Sequence, residues 1–159
     1  QDIEIIKNID MTVIRKIAQI IYQYPKVTAF GTLFSQLGAL DLQYKLAYNH
    51  KFIMSYVNDV KQDEYLKNNS EQGVVIIYSN SGNYLNKYQL SSFDEKKKYD
   101  YKNKKVILIT ANEMMVNHPD VDICLVYQHL SKLQTHSYIY PLINDLIVAE
   151  YRSFQNANF

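Results

Sequence analysis

Apolar residues fall along this chain in two rhythms. In five short runs they stand on consecutive positions: residues 27–30 (VTAF), 52–54 (FIM), 74–78 (VVIIY), 106–110 (VILIT) and 123–127 (ICLVY). A strand with one face in water alternates apolar with polar residues. A strand covered on both faces does not need to, so these runs predict a parallel sheet buried between layers. Elsewhere the spacing is helical. Val13, Ile14, Ile17, Ile20, Ile21 and Tyr24 follow one stripe, with Asp10 or Thr12 placed to cap its start and Pro25 to stop it. Phe34, Leu37, Leu42 and Leu46 mark a second helix, residues 58–68 a short third, and Tyr84, Leu85, Tyr88 and Phe93 a fourth. Ile139, Leu142, Ile143, Leu146 and Ile147 line the last and clearest, with Pro141 in its opening turns, where proline costs least.

Strands alternating with helices at intervals of roughly 20 to 30 residues require right-handed crossovers. The expected fold class is α/β, a three-layer α/β/α sandwich around a five-stranded parallel sheet of flavodoxin-like topology. No internal repeat or linker interrupts the pattern, so residues 1–159 read as a single domain.

Composition narrows the function. The 159 residues carry a formal net charge of +1, which gives no electrostatic case for a chain that itself binds nucleic acid or an anionic membrane. The lysine-rich stretch 95–105 is interrupted by acidic residues and reads as a solvated helix end. No apolar stretch approaches the roughly 18 residues of a membrane span. The lone cysteine, Cys124, excludes an internal disulfide framework and reads as a small buried hydrophobe in a reducing, cytoplasmic setting.

Candidate chemistry sits where an open parallel sheet puts it, beyond the carboxyl ends of the strands. Two of the four glycines, Gly31 and Gly82, stand just after the first and third runs. Thr32 and Ser35 follow Gly31, and Ser79, Asn80, Ser81, Asn83 and Tyr84 surround Gly82. Hydroxyls, amides and a glycine at a helix start are what a phosphate group needs: donors, a favourable dipole and close approach of the backbone. The same residues also build ordinary turns. Hydrogen bonds to a charged group are worth roughly 1.5–3 kcal/mol each. Acid–base candidates are scattered (Glu71, Glu113, Glu150, His118, His129 and His136), and none lies in a recognisable motif. His129 and His136 are too isolated to predict a metal site, and no cofactor is expected.

The segment IIYSNSGNY resembles the strand followed by Ser-x-Ser-Gly-x-Thr of the SIS (sugar isomerase) domain. VTAFGTLFSQLGALDLQYKL resembles the first strand, glycine–serine loop and helix of such domains. KKVILITANEMMVNHPDVDICLVY resembles their fourth and fifth strands, and THSYIYPLINDLIVAEY the closing helix of RpiR-type transcriptional regulators. The resemblance implies a sensor domain that binds a phosphosugar effector, pairs as a homodimer and reaches DNA only through a separate N-terminal helix-turn-helix domain. On that reading roughly the first 10 residues are a leader from that missing domain. It assigns the phosphosugar to Gly31, Thr32, Ser35, Ser79, Asn80, Ser81, Gly82, Asn83 and Tyr84, with no catalytic residue. Two positions depart from the signature. Leu33 stands where the first loop usually has a second glycine, narrowing the room for a guest, and Tyr84 replaces the final threonine. The alternatives are a phosphosugar isomerase and a degenerate SIS domain that only dimerises.

Overall fold

A computed structural model of the chain describes residues 8–68, 72–90, 96–128 and 138–158. Its centre is a five-stranded sheet, every strand parallel to its neighbours, in the order β2-β1-β3-β4-β5. The strands are β1 (Val27–Gly31), β2 (Met54–Ser55), β3 (Gly73–Tyr78), β4 (Lys104–Thr110) and β5 (Ile123–Val126). All five residues of β1 are buried, as are the last five of β3, which is why their apolar runs do not alternate.

The two faces of the sheet are covered differently. Val27, Ala29, Ile76, Tyr78, Ile107, Ile109 and Leu125 pack under α1 (Met11–Gln23), α2 (Ser35–Ala47) and α4 (Ile139–Ala157). Phe30, Val75, Ile77, Val106 and Leu108 pack under α3 (Asp59–Lys67) and under short 3-10 turns and loop that bring in Tyr84, Leu85, Tyr101 and Met115. The first helix is capped as expected: the Asp10 carboxylate accepts the Thr12 N–H at 2.9 Å, and Pro25 follows its end.

Three expectations are corrected. The apolar stripe of α2 does not run through Phe34 and Leu37, which are both more than half exposed. Its core face is Gly38, Ala39, Leu42 and Leu46, small at the start because the helix presses against the rings of Tyr78 and Tyr140. The helix expected through Tyr84, Leu85 and Tyr88 does not form. One 3-10 turn (Asn83–Asn86) buries Tyr84 and Leu85, after which the chain extends, and Tyr88 pairs antiparallel with Lys98. Tyr88 is 44% exposed, so a helix would bury little more. Instead the buried Asp63 carboxylate accepts the Leu90 N–H at 3.0 Å and the Tyr99 hydroxyl at 2.5 Å, holding the segment as a strap on α3. The lysine stretch is therefore not a helix end. Its last residues open β4, where Lys104 is buried with its ammonium 4.5 Å from the Tyr65 ring. Phe93, Asp94 and Glu95 lie outside the described residues.

A buried polar group ties α4 to α2. Asn144, fully buried, accepts from the Tyr78 hydroxyl and donates to the Gly38 carbonyl and the Asp41 carboxylate, both at 2.9 Å. Fixing α4 in this way also fixes Tyr140 at its start, beside the tips of β1 and β3.

Candidate functional site

Strands β1 and β3 are direct neighbours, and their last residues, Gly31 and Tyr78, are partners in register. The loops that follow must therefore leave the sheet about 4.8 Å apart. They share one shallow hollow of about 240 Å³, lined by Thr32, Leu33, Phe34 and Ser35 from the first loop and Ser79, Asn80 and Ser81 from the second. No ionisable side chain is among them.

The first loop is a tight entry to α2. The N–H groups of Ser35, Gln36 and Leu37 bond back to the carbonyls of Thr32, Leu33 and Phe34 at 3.0–3.2 Å. These three helix-start donors thus face the turn, not a guest. Gly31 lies beneath the hollow: a Cβ there would meet the Tyr78 carbonyl oxygen at 2.6 Å and the Ser35 Cβ at 2.9 Å. It keeps the two strand tips together. Leu33 adopts a left-handed backbone (φ 53°) and is 89% exposed, so its side chain forms the rim and does not fill the hollow.

The second loop is built by its own side chains. Ser79 Oγ accepts the Tyr84 N–H at 3.3 Å, and Ser81 Oγ accepts the Asn83 N–H at 3.2 Å. Gly82 turns the chain at φ 80°, where a side chain would also strike Met115. Each serine oxygen is used as an acceptor while its own proton stays available. The loop is held from behind: Thr110 Oγ1 and the Ala111 N–H donate to the Asn80 carbonyl, and Asn112 Nδ2 donates to the Ser81 carbonyl.

Of the nine residues assigned from the sequence, Thr32, Ser35, Ser79, Asn80 and Ser81 line the hollow together. Gly31, Gly82 and Asn83 shape the turns around it. Tyr84 points elsewhere. Its hydroxyl donates to Gln62 Oε1 at 2.6 Å in the core beneath the other face of the sheet, and burial raises its pKa far above the ordinary phenol value. Neither departure from the signature blocks the hollow.

Several residues that organise the site carry no motif. Gln62 on α3 donates to the Gly31 and Tyr56 carbonyls and accepts from Tyr84, joining the bases of both loops. Gln36 accepts the Gly31 N–H at 3.0 Å. Tyr140 lies 3.2 Å from Ser35 Oγ, and Tyr127 donates to Asn80 Oδ1 at 2.7 Å. Tyrosines inside YIYPL and ICLVY read as ordinary core residues, and only their buried hydroxyls, seen in three dimensions, set them apart.

The scattered acid–base candidates do not converge here. Glu150 faces Arg15 at 3.8 Å, His118 Nδ1 accepts the Asp120 N–H, and Glu113 is exposed beside a separate, wider groove along β5. Glu71, His129 and His136 lie outside the described residues. No group of three or more metal-ligating side chains occurs among the described residues, and no described helix is long and apolar enough to cross a membrane. Cys124 is half-buried, with burial pushing its thiol up to about 11, so it is no thiolate near neutrality.

No protein-family model matches the sequence, and neither does any curated protein sequence. Solved structures do match. The sugar isomerase domain of an RpiR transcription factor from Sphaerobacter thermophilus superposes with a TM-score of 0.69 at 13% identity, over 98% of this chain and 88% of that one. The chain has the fold of a sugar isomerase (SIS) domain. The same SIS fold is found in Vibrio vulnificus NanR complexed with ManNAc-6P (TM-score 0.67, 16% identity, 96% of this chain and 59% of that one). It is found again in a candidate phosphosugar isomerase involved in capsule formation from Bacteroides fragilis (TM-score 0.66, 14% identity, 98% and 86%). At these identities the likeness carries the SIS fold and nothing about which residues act.

Proposed function

We propose that this chain is the phosphosugar-sensing, non-catalytic SIS domain of an RpiR-type transcriptional regulator, cytoplasmic and homodimeric, acting on DNA through a domain outside it. The observation that carries the reading is the hollow between the tips of β1 and β3, lined by the hydroxyl residues Thr32, Ser35, Ser79 and Ser81 and by Asn80. The hydroxyls of Thr32, Ser79 and Ser81 suit an anion with several acceptor oxygens. Moving a proton between adjacent carbons requires a general base, and the described lining offers none. The hollow is smaller than the roughly 300–1,000 Å³ of most ligand pockets. It suits the phosphate and the first part of a sugar, with the remainder at the open side. NanR, a structural neighbour, is complexed with ManNAc-6P, which makes an acetamido sugar phosphate a natural first compound to try.

The neighbours also include candidate isomerases, which keeps a catalytic SIS enzyme as the second reading. One set of measurements separates them. A thermal-shift screen against hexose, pentose and amino-sugar phosphates should give a midpoint that climbs with ligand concentration. Parent sugars without phosphate should give none, and equal shifts from them would end the anion reading. Ser81→Ala should weaken the hit about tenfold, as loss of one hydrogen bond to a charged group does. Solvent deuterium entering the sugar carbons would instead identify an isomerase. Homodimers with no response to any phosphate would leave a pairing module.

A further inference from the structure

Four polar side chains run in single file beneath the hollow and join its two loops. Ser35 Oγ lies 3.2 Å from the Tyr140 hydroxyl, Tyr140 lies 3.1 Å from the Tyr127 hydroxyl, and Tyr127 lies 2.7 Å from Asn80 Oδ1. Water has almost no access: Tyr140 is 0% exposed, Tyr127 2% and Ser35 8%. Burial also raises both phenols above their ordinary pKa, so each hydroxyl keeps its one proton near neutral pH.

With one proton each, the direction of the whole file follows from its last link. A separation of 2.7 Å is the usual length of O–H···O, whereas N–H···O bonds centre near 2.9–3.0 Å. Asn80 therefore turns its oxygen to Tyr127, and an amide oxygen can only accept. Tyr127 donates there and must accept from Tyr140. Tyr140 then has no proton left for Ser35, so Ser35 donates to Tyr140. The Ser35 hydroxyl has no proton left for a guest.

We propose that Tyr127 and Tyr140 are positioning residues that fix the polarity of this site. Ser35 meets a ligand only as an acceptor, facing a hydroxyl or N–H, and the anion is held by hydroxyls outside the file, on Thr32, Ser79 and Ser81. The proposal rests on the phosphosugar reading and sharpens it, because it says which way round a sugar phosphate lies.

The test uses sulfate, which has no proton to donate near neutral pH, titrated into the whole chain and followed by NMR. Ser35→Ala should bind sulfate within about twofold of the wild type, and Ser81→Ala at least about fivefold more weakly. Tyr140→Phe frees the Ser35 proton, and Tyr127→Phe frees it at one remove by letting Tyr140 donate to Ser35. Each should bind sulfate about fivefold more tightly, and adding Ser35→Ala to either should abolish the gain. A merely structural role for the tyrosines predicts weaker binding, not tighter. Should Tyr140→Phe fail to fold, Tyr127→Phe carries the same test. Neutron diffraction of the unliganded protein should find the Ser35 deuteron directed at Tyr140. A deuteron directed the other way, no gain in either phenylalanine variant, or a Ser35→Ala loss equal to that of Ser81→Ala overturns the proposal and leaves the phosphosugar reading intact. Failure of the wild type to bind sulfate or any sugar phosphate overturns that reading and the proposal with it.

Discussion

The loops after β1 and β3 end neighbouring strands and line the same hollow, yet they are held in opposite ways. The first is held by its surroundings. Its backbone N–H groups close onto the turn, its serine is tied to Tyr140, and its glycine is needed for proximity to β3 and not for an unusual φ. The second is held by itself. Ser79 and Ser81 accept N–H groups from within the loop, and Gly82 supplies the positive φ. The same residue types thus do different work: the first loop's serine is bound to the core, and the second loop's serines brace their own turn.

That contrast can be broken most severely at Gly31. Gly31→Ala forces a methyl against the backbone carbonyl of Tyr78, which has nowhere to go, and should cost about 3 kcal/mol in urea unfolding. Gly82→Ala should cost less, about 1–2 kcal/mol, because the obstacle is the flexible Met115 side chain and the remaining cost is the positive φ.

Acid sharpens the comparison from another side. Burial alone would raise the Asp63 pKa, but hydrogen bonds from Tyr99, Lys67 and the Leu90 N–H outweigh it and hold the carboxyl below its ordinary value. A carboxyl depressed on folding stabilises the protein above its unfolded pKa, about 3.9, and that contribution is lost as pH falls through the folded pKa. The strap leaving the second loop should therefore loosen in acid before the first loop responds. Amide shifts of Leu90 and Tyr99 followed during acidification will show it, and Asp63→Asn should remove that part of the pH dependence. The smallest effect belongs to Leu33→Gly. Relief of the left-handed backbone, about 1 kcal/mol, is partly offset by the greater freedom of glycine in the unfolded chain, for a net gain of about 0.5 kcal/mol.

The sheet was legible in the sequence because strands buried on both faces announce themselves as unbroken apolar runs, and four of the five runs became strands at close to the expected bounds. The run at 52–54 did not: the edge strand there is only Met54–Ser55, and Phe52 and Met54 are both more than half exposed. The loops were legible because glycine beside hydroxyl residues at a strand end is locally distinctive. What failed was local pattern without tertiary demand. Tyr84, Leu85 and Tyr88 have helical spacing, but two buried residues satisfied the sheet and Asp63 drew the rest into an extended strap. Phe34 and Leu37 suggested a core face that close packing gave to Gly38 and Ala39 instead. Gln62, Tyr127 and Tyr140 were invisible because what matters about them is a partner far away in the chain. Asn80 and Tyr127 are 47 residues apart, and Ser35 and Tyr140 are 105 apart.

The shortness of β2 has a consequence for how such molecules can meet. Met54 and Ser55 are all that flank β1 on its outer side, so a foreign strand arriving at that border finds only a two-residue template. Ladder growth from one molecule to the next, the usual route from a parallel sheet to fibres, has almost no foothold there.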